Sequence, residues 1–157
     1  SPQAYLHDIA TQLTQYSGFN LLVGDQHSMW YLSSTEPRPV RLSAGIYALC
    51  NASLDTPWPK LVRVRSAFAQ HLDATDQVLF ELMHDEHRAD DDQLPDTGVG
   101  LAMERMLSRI FIRGEAYGTR VTSLLRRSSE GVTTLTERSY AMHGEYTGQV
   151  QVQVPRS

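Results

Sequence analysis

Apolar residues recur at helical spacing in the first stretch of the chain. Tyr5, Leu6, Ile9, Ala10 and Leu13 predict an amphipathic helix over residues 1–16, with Gly18 placed to take a left-handed cap. The period then shortens. Phe19 to Gly24 and Ser28 to Leu32 read as a hairpin turning at Asp25-Gln26-His27, and the run Met29-Trp30-Tyr31 suits a strand covered on both faces. Glu36-Pro37-Arg38-Pro39 reads as a loop. Ile46, Tyr47 and Leu49 predict a half-buried strand that breaks at Asn51 and Ser53 and turns through Asp55-Thr56-Pro57-Trp58-Pro59.

A helix is predicted from Pro59 to about Leu72, and a second, capped by Asp73 or Thr75, carries Val78, Leu79, Leu82 and Met83. Residues from about 84 to 98 are polar and acidic and read as a solvated, mobile loop. From Gly100 to Ile112 a helix runs on into an extended segment. Strands follow at Gly118–Arg126 and Val132–Tyr140, with Ser128 to Gly131 as the turn. The last, Tyr146 to Val154, alternates valine with glutamine, the period of a sheet with one wet face or an edge. Strands, then helices, then strands predict an α+β arrangement of mainly antiparallel sheet in a single domain, 1–157.

Composition narrows the chemistry. With 41% apolar and 20% charged residues and a formal charge of −4, the chain has an ordinary core-forming balance and no basic face for nucleic acid. One cysteine, Cys50, excludes an internal disulfide and a cysteine-based zinc cluster. No run approaches the ~18 apolar residues of a membrane span, and a cytoplasmic location is expected. His84-Asp85-Glu86-His87 is the sharpest metal-like cluster, but a zinc site needs three or four converging ligands, and the loop reading is preferred. Cys50, beside Tyr47 and Leu49, reads as a small buried hydrophobe.

Four stretches carry a resemblance: Gly18-Phe19-Asn20-Leu21-Leu22, Ala48-Leu49-Cys50-Asn51-Ala52-Ser53-Leu54-Asp55-Thr56-Pro57-Trp58-Pro59-Lys60, Tyr117-Gly118-Thr119-Arg120 and Thr136-Glu137-Arg138-Ser139-Tyr140. In this order they resemble the NRDE family, the Transport and Golgi organisation 2 family. Members of that family begin well upstream, with a cysteine and the Asn-Arg-Asp-Glu motif, neither of which is in this sequence.

The resemblance implies the αββα sandwich of the N-terminal-nucleophile hydrolases, of which this chain would supply a C-terminal portion. It also implies amide or thioester hydrolysis by an upstream cysteine, whose own α-amino group serves as the base. Ser1, which precedes a helix, is not that nucleophile, and the isolated chain is expected to be inactive. Asn51 is then the candidate oxyanion donor and Arg120 the candidate positive group, against the plainer reading of Arg120 as an ion-pair partner of Glu137. Tyr47, Trp58 and Tyr117 are the candidate binding residues for a small-molecule substrate or ligand. No metal or resident cofactor is expected.

The alternative is a non-catalytic binding or trafficking protein for haem or lipid-like ligands. For haem, His84, His87, His143, Met142 or Tyr117 would be axial ligands. The upstream segment of the same protein is an expected partner, as is a second copy joined through open sheet edges.

Overall fold

The computed structural model describes residues 1–154, and the backbone gathers into two units, Ser1–Thr56 and Pro57–Ser157. Both mix helix with antiparallel sheet, so the chain is α+β. Among the described residues no helix is long and apolar enough to cross a membrane.

In the first unit, α1 covers Pro2–Ala10. Ser1 Oγ accepts from the Ala4 N–H, and Pro2 stands where a missing N–H costs nothing. The helix is shorter than its apolar spacing predicts: it ends at Thr11 in an ordinary right-handed conformation, and a short 3-10 turn at Leu13–Gln15 follows. Gly18 is not among the described residues with positive φ, so it is not a left-handed cap.

Strands β1 (Asn20–Gly24), β2 (Met29–Ser33) and β3 (Glu36–Leu42) form a meander in the order β1-β2-β3. The predicted hairpin is there, its turn closed by Asp25 Oδ1 accepting from the His27 and Ser28 N–H groups. β3 starts within the segment expected to be loop. Proline cannot donate to a ladder and is therefore confined to strand edges. β3 is such an edge, so Pro37 and Pro39 are tolerated. Helix α1 lies along β2 and β3, with Leu6 and Leu32 fully buried. On the alternate face, shared by Leu22, Tyr31 and Val40, Leu22 and Val40 stay exposed. Met29 is 47% exposed, so the Met29-Trp30-Tyr31 run is not covered on both faces.

The second unit holds α2 (Pro59–Ala69), α3 (Asp76–Leu82), α4 (Leu101–Leu107), β4 (Val121–Arg127), β5 (Thr133–Tyr140) and β6 (Tyr146–Val154). The sheet order is β4-β5-β6, all antiparallel. α3 packs on one face through arginines: Arg126 Nε reaches Asp76 at 2.6 Å, and Arg138 lies 4.0 Å from the Phe80 ring centroid while donating to Gln77. The opposite face carries Leu125, Leu135 and Val152 in register, with Val121, Val150 and Val154 beside them, all exposed. β6 is the edge that its alternation predicts, and its glutamines stand on the helix side, where Gln151 donates to Thr136 Oγ1.

The segment expected to be a mobile acidic loop is tied down instead. Asp91 pairs with Arg105 (Nε–Oδ1 2.9 Å), and Glu104, buried on α4, accepts from both N–H and Oγ1 of Thr97. Ala89 is buried, and its N–H donates to Ser108 Oγ. Asp90 and Asp92 stay exposed, so the contacts hold particular residues of a segment that is otherwise at the surface.

Candidate functional site

The strand expected around Ile46–Leu49 does not form. Among the described residues its ladder is reduced to a bridge between Leu49 and Leu54, where the backbone folds back on itself and pairs its polar groups locally. Asp55 closes this loop from both sides. Its N–H donates to the Ala48 carbonyl at 2.6 Å, and its Oδ1 accepts the Ala48 N–H at 2.8 Å. Asp55 has φ 56°, a left-handed conformation that Asp tolerates better than most residues. Within the loop the Cys50 thiol accepts from the Ala52 N–H and lies 3.7 Å from the Ser53 carbonyl, while Ser53 and Thr56 join their hydroxyls at 2.8 Å.

Beneath the loop, Asn20 and Tyr31 stand on one face of the sheet as diagonal neighbours on β1 and β2. Leu54 N–H donates to Tyr31 Oη (3.2 Å), and Tyr31 O–H donates to Asn20 Oδ1 (2.6 Å). Asn20 Nδ2 then donates to the carbonyls of Cys50 (3.1 Å) and Ala52 (3.4 Å), the two residues that flank Asn51.

The result is a cleft of about 410 Å³ between the β2–β3 turn and this loop, lined by Asn20, Ser33, Ser34, Thr35, Cys50 and Asn51 among others. Its wall combines the small hydroxyl residues Ser33, Ser34 and Thr35 with apolar Phe19 and Leu49, and Asn51 is exposed on it. Tyr47, also exposed, turns its hydroxyl back to the Ser43 carbonyl rather than lining this cleft. Sequence reasoning missed Asn20, Tyr31 and the Ser33-Ser34-Thr35 run. A signal was present: Asn20 stands between Phe19 and Leu21 in an otherwise apolar run, where a half-buried amide seeks partners.

The other candidates belong to the second unit. Trp58 precedes α2 with an extended backbone and has Lys60 Nζ 5.8 Å from its ring centroid. Tyr117 and Arg120 are exposed at either end of Tyr117-Gly118-Thr119-Arg120. Thr119 fixes that turn: its N–H donates to the Ile112 carbonyl, and its Oγ1 accepts the Ile112 N–H at 3.0 Å. Arg120 uses its carbonyl to accept from the Tyr140 N–H, and Glu137 stands opposite Ser123, whose hydroxyl it accepts at 2.9 Å. A second cleft, about 540 Å³ at the β4–β5 turn, is lined by Arg126, which is already held by Asp76 and the Ala74 carbonyl.

The His84 cluster is built into the fold of this unit. His84 stacks on Phe111 with centroids 3.7 Å apart, and its Nε2 lies 2.9 Å from Arg113 Nη2. Arg113 also donates to Glu86 (2.6 Å) and to the His143 carbonyl (3.0 Å). Burial against the aromatic ring, then the Arg113 charge, hold the His84 pKa below its ordinary value. Asp85 is half-buried. Burial raises its pKa, but the His87 N–H and the Arg63 guanidinium outweigh it and the net shift is downward. Of the axial-ligand candidates, His84 is thus occupied by Phe111 and Arg113, Met142 and His143 sit in the β5–β6 turn, and His87 is exposed.

Comparison with known proteins bears on the whole arrangement. The profile of the family described as Transport and Golgi organisation 2 matches residues 1–142. The human Transport and Golgi organization protein 2 homolog is 31% identical over 153 residues, covering 87% of this chain and 55% of its own length. The mouse homolog is 29% identical over the same span and coverage. The chain therefore spans about half the length of these curated relatives. A match over most of its residues, with the Asn51 loop and the Tyr117–Arg120 turn inside it, means that the chain belongs to the Transport and Golgi organisation 2 family.

Proposed function

We propose that this chain is part of an N-terminal-nucleophile hydrolase domain that cleaves amide or thioester bonds, with the cysteine nucleophile supplied by sequence upstream of it. The observation that carries this reading is exposed Asn51 on the wall of a cleft of mixed polar and apolar lining, on a loop fixed at both ends. The upstream thiol attacks the acyl carbonyl and gives its proton to the α-amine. The carbonyl oxygen becomes an oxyanion, to which Asn51 Nδ2 donates. Arg120, exposed beside a rigid turn, is the group assigned to stabilise negative charge. Each unit is a sheet with helix on one face and exposed apolar side chains on the other, which supports the sandwich architecture as its setting.

Turnover of an acyl thioester and of its amide analogue by the longer protein, lost in Asn51→Ala and weakened in Arg120→Ala, is the expected result. Hydrolysis indifferent to both changes would overturn the role given to these residues. The non-catalytic alternative, binding or trafficking of haem or lipid-like ligands, draws on the exposure of Tyr117 and Met142 and on the word "transport" in the relatives' names. It predicts a Soret band on adding haem that disappears when Met142 or Tyr117 is replaced.

A further inference from the structure

We propose that Asn20 and Tyr31 are positioning residues that set the place of the Asn51 amide. The inference rests on the hydrolase reading for its consequence, though not for its geometry. The Leu54 N–H can only donate, so Tyr31 Oη is the acceptor there and must send its own proton to Asn20 Oδ1. That fixes which way the Asn20 amide faces. Its Nδ2 is turned to the loop and donates to the carbonyls on either side of Asn51. Hydrogen bonds in such a chain polarise one another, and Tyr31, at its centre, is almost wholly buried.

A strand side chain has thus become the support of a loop that forms no strand of its own. Asn20 lines the same cleft as Asn51, so the support and the supported group belong to one surface. Oxyanion donors act only when held at the position where charge develops, and a displacement of about 1 Å costs on the order of 100-fold in rate. Asn51 owes its place to its two neighbours' carbonyls, and these are what Asn20 holds.

The test uses Tyr31→Phe, which keeps the ring and removes the relay, and Asn20→Ala, which removes the two donors from its other end. Two readouts are taken: nitrogen-15 relaxation of the Asn51 side-chain amide in this chain, and kcat and KM for an acyl thioester in the longer protein. The expected result is a more mobile Asn51 amide in both variants and a kcat lowered on the order of 10–100-fold, with KM changed by less than about twofold. An unchanged Asn51 amide in both overturns the proposal, as does an unchanged kcat where Asn51→Ala abolishes turnover. If Asn51→Ala itself leaves turnover intact, the hydrolase role of Asn51 fails, while the relaxation readout still decides whether Asn20 and Tyr31 position it.

Discussion

Arg113 Nη2 lies 2.9 Å from His84 Nε2, and because a guanidinium can only donate, that ring nitrogen is the acceptor of a neutral imidazole. Stacking on Phe111 withdraws the ring from water, and the Arg113 charge adds to the effect, so the folded pKa lies below the ordinary 6.5. Glu86, 4.0 Å away, pulls the other way, and Arg138 adds a smaller downward push.

The sign of the pH effect follows. A group whose folded pKa is depressed contributes stability that is present above its unfolded value and lost as pH falls through its folded one. The chain should therefore lose stability below pH 6.5 before its carboxylates titrate. A proton-NMR titration should place His84 below 6.5 and show it moving upward in Arg113→Ala. A His84 midpoint at or above 6.5 in the unmodified chain would contradict this.

Gly114 and Gly148 should respond unequally to alanine. A Cβ on Gly114 would stand 2.2 Å from the Tyr117 carbonyl oxygen, a backbone atom that cannot move without opening the turn. At Gly148 nothing lies within 4 Å. Gly114→Ala should cost about 1–3 kcal/mol and Gly148→Ala less than about 1 kcal/mol. Urea unfolding of the two variants checks this, and equal midpoints would rule out the tight turn.

Asp55→Ala removes the acceptor for the Ala48 N–H and places alanine at φ 56°. A loss of about 1–3 kcal/mol is expected, with Asp55→Asn retaining most of the stability. Hydrogen exchange of the Ala48 amide should accelerate in the alanine variant more than in the asparagine one. The opposite order would mean that Asp55 does not close the loop through its carboxylate.

Much of the fold was legible because its elements are local. The hairpin of β1 and β2 and the meander of β4, β5 and β6 follow from short strand-like runs separated by turn residues, with period-two alternation clearest in β6. What was not legible depends on partners distant in sequence. Ile46, Tyr47 and Leu49 have the pattern of a strand, yet the segment closes on Leu54 and Asp55 and rests on Asn20 and Tyr31 of the sheet. The prolines of β3 hide an edge strand whose register to β2 slips between Tyr31 and Ser33. Asp85 and Asp91 look like solvated charges until Arg63 and Arg105 are seen beside them. Asn51 was singled out through its motif, whereas Asn20, some thirty positions earlier, stood in an apolar run without a role until the loop was seen resting on it.

The role assigned to Asn51 is tested most directly by steady-state hydrolysis of an acyl thioester by the longer protein, comparing the unmodified sequence with Asn51→Ala. Loss of one oxyanion donor should lower kcat on the order of 100- to 1000-fold and leave KM nearly unchanged. An Asn51→Ala variant with undiminished kcat would contradict the account.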